Sequence, residues 1–279
     1  MTPNAWDRAD LEHAYRQHLT SGDRALLADV AADRPLAAAL ASAELERIVF
    51  GQETALDPTH AASPFLTFAV AVHRAGERLA NATYVNEWVG PRQRVPVFGA
   101  DRLRELLAEP VQRFFFVELL ASYTHVASGS TWTATRRGWR RRRFSELDPV
   151  QLAGLLGTVA AAERPGVLRR LGDLALFLTG VFPDHTATTP LGHPAMLLRS
   201  AGLDPARGAA VAEDSFVFME VLGARWYRLA SRLAPAPSGS VVALATIADA
   251  FADARRVLNV VTDTYLFPLR EQWFGRPAA

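Results

Sequence analysis

The chain contains no cysteine. That excludes a disulfide framework, a thiol nucleophile, an iron–sulfur cluster and a thiolate zinc site. It contains no lysine either, so all 30 basic residues are arginine. Without an ε-amine there is no Schiff-base chemistry. Every cation is instead a planar guanidinium, suited to carboxylates, phosphates and aromatic faces. Long hydrophobic runs are also missing. The best of them are broken by Glu118, Asp173 and Asp263, and none reaches the length of a bilayer span. The opening MTPNAWDRADLEHAYRQHL is polar, without the apolar stretch of a signal peptide. Together these absences predict a cytoplasmic protein with no membrane segment. A basic excess is lacking as well: the net charge is +1 over 279 residues. A domain that wraps nucleic acid carries such an excess, so nucleic acid is not expected as a partner and any anion site has to be local.

Hydrophobic residues make up 49% of the chain and charged ones 21%, enough for a sizeable core and against disorder. The local signals are helical. Asp7–Leu19, Arg24–Ala32 and an alanine-rich Pro35–Phe50 read as helices. Ser63 before Pro64 is an N-cap with proline in the first turn. Behind it Phe65, Phe68, Ala69, Val72, Gly76 and Leu79 recur at helical spacing, with His73 at the border of that apolar face. The stretch WVGPRQRVPVFG reads as a loop, because Pro91 and Pro96 forbid a continuing helix. Asp101 opens a short helix, and Pro110 opens one that is apolar on nearly every side and belongs inside a bundle. Asp148-Pro149, Pro165, Pro194 and Glu213 start further helices, with PDHTATTPLGHP as loop. APAPSGS reads as a linker, and a final helix is expected from Val241 to Trp273.

Strand patterning stands out in one place. Residues 131–149, TWTATRRGWRRRRFSELDP, hold six arginines and two tryptophans, and no acid lies between Glu118 and Glu146. Thr131, Thr133 and Thr135 alternate with Trp132 and Ala134, and Gly138 permits a tight turn. A hairpin turning at Arg137-Gly138 sets Arg136 opposite Trp139, Ala134 opposite Arg141 and Trp132 opposite Arg143. One face then carries Trp132, Arg136, Trp139, Arg141 and Arg143. Guanidinium groups grip carboxylate or phosphate in a bidentate way and indoles stack on flat partners. The bland alternative is a hairpin lying on the bundle, with its tryptophans buried and its arginine stems covering apolar surface. The expected fold is mainly α: a multi-helix bundle with one small arginine-rich β-hairpin. Residues 1–279 are expected to form one domain, with 1–60 as a helical extension, 61–233 as the core bundle and 238–279 as a C-terminal helix.

Acids within apolar helices give a second candidate. Glu118, Ser122 and His125 share one helical stripe. Glu118 and His125 stand roughly 10 Å apart along it, so both can touch one ligand but not each other. Glu220 in FVFMEVLGARWY is a further polar contact for an internal pocket. A carboxylate-bridged metal site needs Glu-x-x-His on two helices, and that spacing is absent; Asp57-Pro-Thr-His60 matches it only inside a proline loop. His-Glu-x-x-His, Gly-x-Ser-x-Gly and glycine-rich phosphate loops are absent too, so no metal or cofactor is expected. The leading expectation is a regulatory or interaction protein, not an enzyme, whose hairpin meets an acidic protein or an anionic small molecule. One alternative is an enzyme or ligand-binding protein with a pocket around Glu118 and His125. The other is a structural helical subunit forming a homodimer through its last helix. For acids such as Glu118 the structural reading is pairing with an arginine from a neighbouring helix.

Overall fold

The computed structural model describes residues 8–31, 34–51, 62–124, 128–135, 138–208, 211–235, 239–267 and 273–274; for 128–135 and 138–144, and at 31, 207, 239 and 240, it describes the backbone alone. The fold is mainly α, a multi-helix bundle, as the patterning requires. Its first helices are α1 (Arg8–His18), α2 (Ser21–Ala31), α3 (Leu36–Leu40), α4 (Ala43–Phe50) and α5 (Pro64–Ala80). Helix α2 begins three residues earlier than its apolar pattern indicates. Thr20 and Asp23 cap it reciprocally: the Asp23 N–H donates to the Thr20 hydroxyl at 3.1 Å and the Thr20 N–H donates to the Asp23 carboxylate at 2.8 Å. The other Asp23 oxygen accepts the Ser63 N–H at 2.9 Å, which ties the start of α2 to the start of α5. Pro35–Phe50, expected as one helix, is two. Ser42 accepts the Leu45 N–H and starts α4 afresh.

The stretch expected as loop after α5 is a second hairpin, so the bundle carries two rather than one. Strands β1 (Tyr84–Gly90) and β2 (Gln93–Phe98) pair antiparallel, with Asn86 opposite Pro96. Proline is tolerated because this is a two-stranded ribbon, all edge, where a missing N–H need not break a ladder. The turn places Arg92 at φ 59, a conformation uncommon for a residue with a side chain. Asp184 supports it by accepting the Arg92 N–H at 3.1 Å and the Trp88 indole N–H at 2.6 Å.

Then follow α6 (Asp101–Ala108) and α7 (Pro110–Ser122), buried on almost every side as expected. Helix α7 stops at Ser122, short of His125, which lies outside the described residues. The arginine-rich hairpin is present as β3 (Ser128–Thr135) and β4 (Gly138–Ser145). Its register differs from expectation by two residues: Trp132 pairs with Arg141, Ala134 with Trp139 and Thr135 with Gly138. Because the strand period is two, an even slip leaves the alternation along each strand unchanged.

The C-terminal half holds α8 (Pro149–Leu155), α9 (Arg164–Val181), α10 (Pro183–Thr188), α11 (Pro194–Ser200), α12 (Pro205–Gly208), α13 (Ser215–Leu233), α14 (Gly239–Asp249) and α15 (Phe251–Val261). Short α10 occupies part of an expected loop. The expected single last helix is broken at Ala250 into α14 and α15, and a π-helical turn at Thr262–Leu266 follows. Asp148 and Asp214 cap α8 and α13 by accepting N–H groups of the first turn. No described helix is long and apolar enough to cross a membrane.

Helix α9 is the centre of the bundle. From Leu171 to Val181 every residue is buried. Its closest neighbour is α13, and glycines set the approach. A methyl at Gly172 would overlap the Tyr227 ring, and one at Gly223 would overlap Phe251 and stand 2.7 Å from the Ala175 Cβ. Asn259 of α15 donates to the carbonyls of Thr179 and Gly180 at 3.3 and 2.7 Å, satisfying the C-terminal turn of α9. Gly223→Ala is therefore expected to lose about 1–3 kcal/mol by overpacking, despite alanine's better helix propensity. Chemical denaturation checks this; an unchanged or raised midpoint would show that α9 and α13 have room to separate.

Candidate functional site

Helix α1 lies against α7, and Tyr15 at its centre enters an aromatic cluster. Its ring meets Phe114 at 4.9 Å and Phe65 and His73 at 5.9 Å, each edge-on. One cavity lies on each side of this cluster: Phe65 is on the wall of one, and Tyr15 and His73 are on the wall of the other.

The first cavity, of about 330 Å³, is polar and lies between α1, α7 and α9. It brings together the anticipated Glu118 and Ser122 with His18, Arg169, Arg170 and Asp173. Glu118 accepts from Arg169 Nη2 at 3.5 Å, with His18 Nε2 at 3.8 Å from its other oxygen. An arginine of a neighbouring helix thus pairs with Glu118, as the structural reading of that acid requires. Arg169 Nε stands 3.8 Å from Asp173, which accepts the Tyr227 hydroxyl at 2.8 Å. Arg170 donates to the Ser122 hydroxyl at 2.8 Å and to Glu146 at 3.1 Å, and covers the Tyr123 ring at 4.0 Å. Every charge in this cleft has a partner inside the protein. An incoming ligand has to break those pairs, so the cleft reads as the polar joint between α7 and α9.

The other anticipated residues are elsewhere. Glu220 does not line this cleft; it accepts from Arg255 Nε at 2.9 Å, in a network that includes Glu87 and Asn259. His125 and Arg136 lie outside the described residues. Trp132, Trp139, Arg141 and Arg143 have strand positions, but their side chains lie outside the description. Among the described residues, no group of three or more histidine, aspartate or glutamate side chains is placed to hold a metal ion.

The second cavity, of about 470 Å³, is the larger and is bounded by α1, α3, α5 and the start of α7. Leu11, Leu36, Leu40, Pro110 and Val111 give it apolar walls. His73 stands in that wall with 3% of its surface exposed. Its Nε2 meets the Tyr15 hydroxyl at 3.1 Å; its Nδ1 is sealed in the wall without a hydrogen bond of good geometry, although the Ala37 carbonyl is near enough to act on the ring. Burial, reinforced by the Arg113 guanidinium, holds the His73 pKa down at about 3, against a weaker opposing effect of the Ala37 carbonyl. The imidazole is therefore neutral at physiological pH. Burial likewise pushes the Tyr15 hydroxyl far above its ordinary range, so it remains a protonated donor. This pocket was not anticipated as a site. Its one trace in the sequence is a lone histidine in the apolar run of α5; Tyr15 and Arg113 carry no local signal.

No protein-family model matches the chain, no curated protein resembles it in sequence and no solved structure resembles it in fold. The site has to be read from its own chemistry.

Asp173 provides a pH test of the polar joint. Burial raises its carboxyl above the ordinary value of 3.8, although Arg169 and the Tyr227 hydroxyl act against that rise. A carboxyl raised in the folded state supports folding most below its unfolded pKa, and that support is lost as pH climbs through the raised folded value. Asp173→Asn keeps an acceptor for Tyr227 and removes the titration. The stability of the parent relative to this variant is expected to fall as pH rises from below 3.8 through the weakly acidic range. Parallel pH–stability curves for the two proteins would refute this account of Asp173.

Proposed function

We propose that the protein binds a small, largely apolar molecule in the cavity between α1, α3, α5 and α7. The observation that carries this reading is the cavity itself, about 470 Å³ with apolar walls and the hydrogen-bonded Tyr15–His73 pair set among them. Ligand sites combine apolar walls with a few convergent polar groups, at volumes of roughly 300–1,000 Å³. Relative to the pocket expected around Glu118 and His125, this reading moves the site across the aromatic cluster to Tyr15 and His73. The test uses N-phenylnaphthylamine, a neutral apolar fluorophore. The parent is expected to give saturable one-to-one enhancement of its emission. Ala37→Trp, which fills the cavity from an exposed lining position, is expected to abolish it without changing the melting temperature. A parent that gives no saturable enhancement removes the reading.

A second reading keeps the arginine-rich hairpin as the surface for an acidic partner. It is supported by six arginines in an acid-free stretch and by the pairing of Trp132 with Arg141. Polyglutamate, followed by tryptophan fluorescence, is then expected to bind at low salt and weaken as salt rises. Replacing Arg136, Arg141 and Arg143 with glutamine should remove that binding and leave stability within about 0.5 kcal/mol, as for exposed charges. Salt-insensitive or absent binding by the parent counts against it.

A further inference from the structure

The charges at the rim of the Tyr15–His73 cavity are unequal in how far they are already committed. Glu12 is engaged by Arg16, which donates to it from Nε at 3.2 Å and Nη2 at 2.7 Å. Glu109 is exposed and keeps its water. Arg113 is different. It is half-buried, its Nη2 donates to the Ala108 carbonyl at 3.2 Å, and its Nε is buried with no acceptor. No carboxylate among the described residues lies within ion-pairing distance of it, nor of Arg8 across the same rim. The cavity thus has apolar walls and a mouth where two guanidinium groups without a carboxylate partner stand against one hydrated carboxylate.

We infer that the occupant is an apolar monocarboxylate, its carboxylate held at the mouth by Arg113 with Arg8 and its apolar body lying against Leu11, Leu40 and Val111. This rests on the small-molecule reading above and names its ligand class. A guanidinium fork matches a planar carboxylate and the pair is strongest where water is thin. One anionic charge suits the site. His73 adds no cation of its own, and Glu109 at the rim opposes a dianion such as a phosphate ester. The neutral imidazole and the Tyr15 side chain then stand on the wall beside the body of the ligand.

The test displaces bound N-phenylnaphthylamine with octanoate and with octanol, which share a chain and differ in charge. The parent is expected to prefer octanoate by about tenfold or more, the scale of one charge-assisted pair. Arg113→Gln is expected to bring the two ligands within about threefold by weakening octanoate alone. Unchanged displacement by octanol in that variant shows that the fold and cavity are intact. Equal affinity for acid and alcohol in the parent overturns the carboxylate assignment while leaving a small-molecule site. So does a preference that survives Arg113→Gln together with Arg8→Gln. If the fluorophore itself does not bind, the small-molecule reading falls and this assignment falls with it.

Discussion

The close approach of α9 to α13 sets the frame for everything else in the bundle. Gly172 admits the Tyr227 ring, and Gly223 admits Phe251 next to Ala175. With the axes this near, the last eleven residues of α9 are all buried. The polar groups trapped there have to be satisfied within the protein. Tyr227 donates to Asp173 from across the interface, and Asn259 donates to the last carbonyls of α9. Asn259 in turn accepts from Arg255, which also pairs with Glu220 and Glu87. One tight helix pair therefore dictates a chain of polar contacts that reaches α15 and the first hairpin.

The two cavities differ because of this frame. Helix α9 presents Arg169 and Arg170 to α7, and they meet Glu118, Ser122, Asp173 and Glu146. A cleft full of complementary charges is stable when empty, and a ligand has to outcompete partners already in place. Helix α5 presents His73 to α1 and α3, which are mostly apolar there and offer it the Tyr15 hydroxyl and the Ala37 carbonyl. At the rim, Arg113 has no carboxylate partner among the described residues. The richer set of catalytic-looking side chains is thus the structural joint, and the plainer cavity is the one whose charges are less committed.

The hairpin after α5 shows how a distant contact overrides a local signal. Its two prolines and the positive φ of Arg92 argue against strands. Trp88 nevertheless stacks on Phe216 at 4.2 Å, Asp184 holds both the indole and the turn, and Arg94 pairs with Asp263 at 2.9 Å. These partners are some 90 to 170 residues away in sequence. The ribbon is a product of the packed helices, not of its own propensities.

The sequence by itself determined the helical class, because the 3.6-residue apolar period of α5 and the all-round apolarity of α7 are local properties. It also determined the starts of α5 and α8, where Ser63 and Asp148 cap N–H groups two or three residues ahead. The arginine-rich hairpin was legible from its threonine alternation, though not its register, since a two-residue slip keeps the same alternation. Tertiary structure alone decided the partners. Glu118 and Asp173 both look like isolated acids in apolar helices, and only the placement of α9 and α13 assigns Arg169 and Tyr227 to them. It alone also decided the pocket. Tyr15 and His73 are 58 residues apart, and no rule of local spacing relates them. A cavity belongs to the space left between packed helices, and that space does not exist until the side chains that border it have been brought together.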